Sequence, residues 1–324
     1  MFDRLRKLRA AGVIGLNERN RNYLMARNPR ALYARVDDKV ATKRLAIAAG
    51  IAVPQLYGLI RTVREAQNFA HMVSGHDDFV IKPAHGSGGK GVLVISERRR
   101  DRYLRSDGQA LAAAEIEHHI QNVLGGIYSL GGQIDQAIVE YRVHFDRVFE
   151  TVSYRGVPDI RVLVYRGVPA MAMLRLPTRR SGGRANLHQG AVGCGIDLLT
   201  GTTTLAVCRD QRINEHPDFG TPLAGLVIPG WPALLLLAAR CQDLAPLGYL
   251  GVDIVLDASL GPLVLELNAR PGLGIQIANG RGLRGIFAAI DAAAPLPRGA
   301  DERIALLRAY LSAQHLPGPL TTLS

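Results

Sequence analysis

The sequence predicts an α+β fold with two lobes, because strands and helices follow one another irregularly and several strands pair as hairpins. Strands are predicted at 159–165 and 170–176 with a short turn between them, and again at 251–257 and 262–268. Such hairpins are antiparallel, whereas a doubly wound sheet needs strict alternation of strands and crossover helices. The chain has 324 residues, which is enough for two or three domains.

The N-terminal part is predicted to be helical and basic. Residues 1–36 carry a weak apolar face, and the apolar residues of 38–49 recur at helical spacing. Another helix is expected at 62–73, where Thr62 and Glu65 have the spacing of a capping box.

The remaining elements follow from the same criteria. Short β-rich runs flank a glycine-rich stretch, and longer apolar patterns at helical spacing indicate three more helices. The expected strands are 78–83, 91–96 and 137–143, and residues 51–60 are expected to form a strand and a turn. The expected helices are 111–124, 231–245 and 300–314.

Composition narrows the class of protein. The formal net charge of +11 suits either a solvated basic surface or an anionic partner. Aromatic residues make up only 6%, which argues against nucleic acid as a partner. The three cysteines lack C-x-x-C spacing and form no disulfide framework.

The most apolar run, 233–239, is too short to span a membrane, and the first ten residues lack the apolar core of a secretion signal. We therefore expect a cytoplasmic protein.

A glycine-rich stretch, FVIKPAHGSGGKGVLVIS (79–96), separates two of the β-rich runs. Gly86, Gly88 and Gly91 satisfy the pattern G-x-G-x-x-G, but the residues after Gly91 favour a strand, whereas a dinucleotide fold needs a helix there. A P-loop would need Ser or Thr after Lys90. A protein kinase would need catalytic-loop and D-F-G motifs that the sequence lacks.

A hairpin loop of this composition can close over phosphate groups through its backbone N–H groups. Lys82, at the end of the incoming strand, would then reach the α- and β-phosphates of a nucleotide. On this stretch alone, a solvent-exposed glycine hairpin remains the alternative.

Acidic residues inside apolar strands form a second motif. Asp253 lies on one predicted strand, and Glu266 and Asn268 lie two residues apart on the next, so the latter two share a face. Polar groups in such runs are costly unless they bind something. Two carboxylates and an amide oxygen suit Mg²⁺, whose shell is completed by phosphate and water, while an ordinary polar edge strand is the alternative. The turn that follows is expected to bring Arg270 near an anionic substrate group.

Together these motifs resemble the ATP-grasp superfamily of carboxylate–amine ligases over residues 37–285. The similarity is greatest to the α-L-glutamate ligase-related and sugar-transfer-associated branches. The resemblance implies two α+β lobes that grip ATP, with a short helical extension in place of a full preceding domain. The implied parts are the extension 1–36, a subdomain 37–136 with the glycine-rich loop, a subdomain 137–296 with the Mg²⁺ site, and a C-terminal helix 297–324.

The resemblance also implies a role for each matching residue. The glycine-rich loop would cover the phosphates, backbone groups of Glu140 and Tyr141 would meet the adenine edge, and Asp159 would lie on the ribose side. The implied nucleotide-binding residues are Lys39, Lys82, Gly86, Ser87, Gly88, Gly89, Glu140, Tyr141, Asp159 and Arg161. The implied residues at the γ-phosphate and the substrate are Arg184, Asn186 and Arg270, and the implied metal ligands are Asp253, Glu266 and Asn268.

The implied reaction consumes ATP with one or two Mg²⁺ ions, for which Mn²⁺ is a substitute. A carboxylate attacks the γ-phosphate, and an amine then attacks the acyl phosphate to give an amide. The expected substrates are glutamate or a related amino acid and a peptide or other amine or carboxylate acceptor, with an anionic acceptor in keeping with the basic charge. Two alternatives stay open: an enzyme that modifies a cell-surface glycan precursor, and a non-catalytic nucleotide-binding scaffold. No feature of the sequence sets the oligomeric state.

Overall fold

The computed structural model of the chain describes residues 2–86, 88–100 and 102–315. Two antiparallel sheets dominate this part of the chain, one of six strands and one of seven. The first sheet has the order β1-β6-β2-β3-β4-β5 and the second β11-β10-β9-β8-β7-β12-β13. The strands are β1 (Leu56–Ile60), β2 (Phe79–Pro83), β3 (Leu93–Arg99), β4 (Arg102–Arg105), β5 (Ala110–Ala112), β6 (Ala137–Glu140), β7 (Asp159–Tyr165), β8 (Val168–Leu176), β9 (Val192–Ile196), β10 (Thr203–Cys208), β11 (Gln211–Ile213), β12 (Tyr249–Asp257) and β13 (Gly261–Asn268).

Helices precede, cover and follow these sheets. They are α1 (Phe2–Ala10), α2 (Leu16–Glu18), α3 (Met25–Arg27), α4 (Ala34–Asp37), α5 (Lys39–Ala48), α6 (Val63–Gln67), α7 (Phe69–Met72), α8 (Ala113–Leu124), α9 (Trp231–Leu244), α10 (Gly274–Asn279), α11 (Arg284–Ala292) and α12 (Ala300–His315). A π-helical turn spans Arg19–Leu24, and 3₁₀ turns span Arg30–Leu32, Leu130–Gly132, Arg147–Phe149 and Leu187–Gln189. In the part of the chain that the structure describes, no helix is long and apolar enough to cross a bilayer.

The predicted α+β class and both predicted hairpins are confirmed. Strands β7 and β8 pair antiparallel, as do β12 and β13. The capping box is also present, since the Thr62 hydroxyl accepts from the Glu65 N–H and the Glu65 carboxylate accepts from the Thr62 N–H. The helix expected over 62–73 is divided into α6 and α7, because Asn68 leaves helical geometry between them.

Several short elements were not predicted. Strands β4 and β5 follow β3 as a meander, and residues 111–112 belong to β5 rather than to the predicted helix 111–124. The Ala-Leu-Ala sequence of β5 favours a helix intrinsically, and pairing with β4 overrides that preference.

Strand β6 pairs with β1 and β2, so the first sheet continues to residue 140, beyond the expected subdomain boundary at residue 136.

The N-terminal segment packs against the second sheet. The Asn28 side chain is buried, donates to the carbonyls of Tyr249 (2.8 Å) and Ala269 (3.0 Å), and accepts from the Tyr249 N–H (2.9 Å). The Tyr23 ring lies 4.9 Å from the Phe287 ring, centroid to centroid. These contacts fix the ends of β12 and β13, on which the predicted metal ligands lie.

Candidate functional site

A cleft of about 1880 Å³ lies between the two sheets. It is bounded by the β2–β3 loop, the end of β6 and one face of the second sheet. Most of the predicted site residues line it: Lys39, Lys82, Gly86, Gly88, Gly89, Glu140, Tyr141, Asp159, Arg161, Arg184, Asn186, Asp253, Glu266 and Asn268. Ser87 lies outside the described residues, and Arg270 is not among the lining residues.

The glycine-rich loop joins β2 to β3, as predicted, and crosses the cleft. Gly88, Gly89 and Gly91 have φ of 62°, 74° and 73°, a region that favours glycine. The Gln189 amide donates to the Gly88 carbonyl at 3.4 Å, and a Cβ at Gly89 would lie 3.3 Å from Arg184 Cδ. The loop therefore contacts residues 184–189 of the second lobe, which also contain the predicted Asn186.

Asp135 anchors the base of this loop. Its carboxylate accepts from the His85 backbone N–H (3.1 Å), pairs with His85 Nδ1 (2.8 Å) and accepts from the Ser129 hydroxyl (2.5 Å). Burial raises the pKa of Asp135, but the hydrogen bonds from Ser129 and His85 more than offset that effect and lower it. Sequence reasoning missed this anchor because His85 lies 50 residues before Asp135 in the chain.

Lys39 begins α5 and reaches the same loop. Asp38 caps the helix by accepting from the N–H groups of Val40 (2.8 Å) and Ala41 (3.2 Å). The Lys39 ammonium donates to the Gly86 carbonyl at 2.5 Å. Burial lowers the pKa of Lys39, and the charge of Glu266 across the cleft acts in the opposite direction. Helix α5 thus places a cation between the glycine loop and the acidic strands.

Lys82 and Glu140 are paired in the buried end of the cleft. Glu140 Oε1 lies 2.5 Å from Lys82 Nζ, and its Oε2 lies 2.8 Å from the ammonium of Lys43, a residue that sequence reasoning missed. The backbone N–H of Tyr141, which was expected at the adenine edge, donates to the Gln55 carbonyl at 2.8 Å. Val143 also lines the cleft, and its N–H makes no hydrogen bond to any residue that the structure describes.

Charged side chains of both signs lie on four neighbouring strands of the second sheet. Arg161 lies opposite Asp253, which in turn lies opposite Glu266, so the three share one face. Both Asp253 oxygens accept from Arg161, from Nε at 2.7 Å and from Nη2 at 2.6 Å. Arg175 on β8 completes this face: its guanidinium binds Asp159 bidentately, with Nη2 at 2.6 Å, and lies 2.9 Å from Asp253.

Burial and charge set the ionisation of this group. Burial alone would raise the pKa of Asp253, but the guanidiniums of Arg161 and Arg175 hold it at about 2. For Asp159, burial is the largest effect and raises its pKa, while Arg175 acts against it. Arg175 was also missed, although a charged residue inside the apolar run AMAMLRL was a usable signal.

The predicted metal ligands are brought together on β12 and β13. Glu266 is half-buried and makes no ion pair with any described residue, so its carboxylate can accept a cation. The Asn268 Oδ1 accepts from the Arg270 N–H at 2.9 Å, and the Asp253 oxygens face two guanidiniums. Within the described ranges no cluster of three or more His, Cys, Asp or Glu could hold a metal. The donor set still fits Mg²⁺, because that ion takes one or two carboxylates and completes its shell with phosphate and water.

Arg270 is not brought into the cleft. The turn after β13 directs its guanidinium to the Asp37 carboxylate (2.8 Å) and over the Tyr33 ring (5.0 Å to the centroid). The sharp turn was predicted, but the partners of this side chain lie in the N-terminal segment, more than 200 residues away in the chain.

Known proteins resemble this chain along most of its length. The sequence profile described as sugar-transfer associated ATP-grasp matches residues 18–292. A probable α-L-glutamate ligase of Pseudomonas entomophila is 25% identical over 284 residues, which is 87% of this chain and 68% of that protein. A probable α-L-glutamate ligase of Halorhodospira halophila is 26% identical over 255 residues, covering 78% of this chain and 62% of that protein. The chain thus spans about two thirds of the length of these relatives.

Solved structures give a weaker likeness. The ATP-grasp ligase PsnB in complex with a minimal precursor has a TM-score of 0.44 and 17% identity, over 86% of this chain and 63% of PsnB. A D-alanine–D-alanine ligase from Bacillus anthracis has a TM-score of 0.44 and 14% identity, over 89% of this chain and 71% of that ligase. Because the sequence profile covers most of the chain, including both sheets and the cleft, the chain belongs to the sugar-transfer-associated ATP-grasp family.

Proposed function

We propose that the protein is an ATP- and Mg²⁺-dependent ligase that activates a carboxylate as an acyl phosphate and joins it to an amine. The observation that carries the proposal is that two lysines and two carboxylates line one cleft from opposite lobes. Lys39 and Lys82 lie on the first lobe, Asp253 and Glu266 lie on the second, and the glycine-rich loop crosses between them.

The nucleotide would lie with its phosphates beneath the loop. Lys82 and Lys39 would neutralise phosphate charge, and the loop N–H groups of Gly88 and Gly89 would add donors. Because the Tyr141 N–H is already engaged by Gln55, the Val143 N–H is the better candidate for the donor to the base edge.

The second lobe would hold the reacting end. Glu266, Asn268 and Asp253 would hold Mg²⁺, which when bound neutralises charge on the phosphate oxygens. Arg184 and Asn186, directly across from the loop, would orient the γ-phosphate and the incoming carboxylate. Contact between the loop and residues 184–189 would exclude water, which protects an acyl phosphate from hydrolysis.

The proposed carboxylate substrate is glutamate or a related amino acid, in line with the names of the relatives. The acceptor would be a peptide or another amine. The description of the family as sugar-transfer associated favours a second candidate, in which the amine belongs to a glycan precursor. Both candidates use the same activation chemistry.

A screen for ADP release over amino acids, peptides and amino sugars, with ATP and Mg²⁺, tests this proposal. We expect ADP only when a carboxylate and an amine are both present. Lys82→Ala and Glu266→Ala should abolish it, while Arg308→Ala, an exposed change on α12 outside the cleft, should not. Full activity in either site variant would refute the site, and ATP binding without turnover on any substrate would favour the scaffold alternative.

A further inference from the structure

Lys43 is buried at a point where a helical lysine would ordinarily face solvent. It is 6% exposed, and it lies on α5 one turn after Lys39. Its ammonium lies 2.8 Å from Glu140 Oε2 and also donates to the Pro54 carbonyl. Unlike Lys82 and Glu140, it does not line the cleft. Through Glu140, Lys43 contacts a residue that does line the cleft.

Glu140 holds one lysine on each carboxylate oxygen. Lys82 Nζ lies 2.5 Å from Oε1, and the exposed fractions of Glu140 and Lys82 are 2% and 7%. Burial alone would raise the pKa of Glu140, but the charges of Lys82 and Lys43 more than offset it and keep the carboxylate ionised. The three side chains thus form a buried group with two positive charges and one negative charge.

The charge of this group depends on Lys43. With both lysines present the formal sum is +1, and Lys82 is the ammonium that faces the cleft. Without Lys43, the Glu140 carboxylate would have Lys82 as its one close cation, and the sum would be zero. Lys82 would then be held by Glu140 with no surplus charge for an anionic ligand, and the low dielectric around the group makes that difference large.

Lysine is used in place of arginine at the end of the cleft that holds Glu140. The sequence has five lysines among 39 basic residues, and three of them, Lys39, Lys43 and Lys82, meet at this end of the cleft. Arginine is the rule elsewhere in the chain. At Lys43 the compact ammonium lies between the Glu140 carboxylate and the Pro54 carbonyl, where a guanidinium would be larger and planar.

We propose that Lys43 is a positioning residue for polyphosphate binding, which shares the charge of Glu140 and so leaves Lys82 free to bind the phosphates of ATP. The inference rests on the proposed function in one respect, the assignment of Lys82 to the nucleotide phosphates. It adds to that function a residue outside the cleft, whose positive charge offsets the negative charge of Glu140 beside Lys82.

Calorimetric titration of the full chain with ATP and with adenosine tests the proposal. Lys43→Met should weaken ATP binding roughly tenfold, as expected for one lost charge acting across a partly buried site, and leave adenosine binding within about twofold. Arg44→Met is the matched control, because it removes the same charge from the next, exposed position of α5 and should change neither affinity.

Two further variants separate charge from packing. Lys43→Arg should recover part of the ATP affinity. In Lys43→Met/Glu140→Gln the formal sum returns to +1, so this double variant should bind ATP more tightly than Lys43→Met alone.

Equal ATP affinity in Lys43→Met and the wild type would overturn the inference, as would a parallel loss of adenosine binding or a double variant no better than the single one. A wild-type chain that binds no ATP would instead refute the proposed function.

Discussion

Replacement of Arg175 by methionine should destabilise the fold by about 3–5 kcal/mol, the cost of leaving a buried charge without its partner. The Arg175 guanidinium binds both oxygens of Asp159, one of them at 2.6 Å, and lies 2.9 Å from Asp253. The side chains of Arg175, Asp159 and Asp253 are 10%, 10% and 6% exposed, so solvent cannot replace the lost donors. Asp253 keeps its bidentate contact with Arg161, and the cost therefore falls mainly on Asp159.

Urea unfolding followed by circular dichroism measures this change. The double variant Arg175→Met/Asp159→Asn removes the stranded charge and should recover most of the loss. Arg212→Met, an exposed arginine on the same sheet, should shift stability by less than about 0.5 kcal/mol. A loss below about 1 kcal/mol for Arg175→Met, or no recovery in the double variant, would show that the network does not hold the sheet in the way described.

Two predictions concern the glycine-rich loop. Asp135→Asn should cost about 1–3 kcal/mol at pH 7, because the His85 and Ser129 donors lose a charged acceptor. Since the pKa of Asp135 is lowered in the folded chain, its contribution to stability is present above the usual aspartate pKa and is lost as the pH falls. The free energies of unfolding of the wild type and Asp135→Asn should therefore converge in acid. A difference between them that stays constant with pH would contradict this. Gly91→Ala should lower the melting temperature, because the new Cβ would lie 2.5 Å from the Tyr128 ring and the backbone has a φ of 73°. Gly108→Ala is the control, since Gly108 has a φ of 89° but open space around it, so this change should report the backbone strain alone. Equal losses at the two glycines would exclude the Tyr128 contact as the cause.

The parts of the fold that could be predicted were those with strong local patterns. The hairpins β7–β8 and β12–β13 have long β-rich runs and tight turns, and their alternation places Glu266 and Asn268 on one face. Strands β4 and β5 have four and three residues, too few for a periodic signal. They form because β4 pairs with the edge of β3 and β5 pairs with β4.

The site could be predicted as a set of positions but not as a set of contacts. Lys43 has the appearance of an ordinary helix-surface charge, and only the approach of β6 to α5 reveals Glu140 as its partner. Arg270 lies in an evident motif and was expected in the cleft, but it binds Asp37, which lies on a segment far away in the chain. Long-range pairing of charged side chains is a property of the tertiary structure, and a single sequence carries little information about it.

The central claim is that this cleft transfers the γ-phosphate of ATP to a carboxylate before an amide forms. L-Glutamate labelled with ¹⁸O in its carboxyl groups, incubated with ATP, Mg²⁺ and an amine that has no carboxyl group and supports turnover, tests it directly. Attack of the amine on an acyl phosphate expels the bridging carboxyl oxygen with the phosphate. Mass spectrometry should therefore find one ¹⁸O in the inorganic phosphate for each amide formed. Amide formation with unlabelled phosphate would contradict the account.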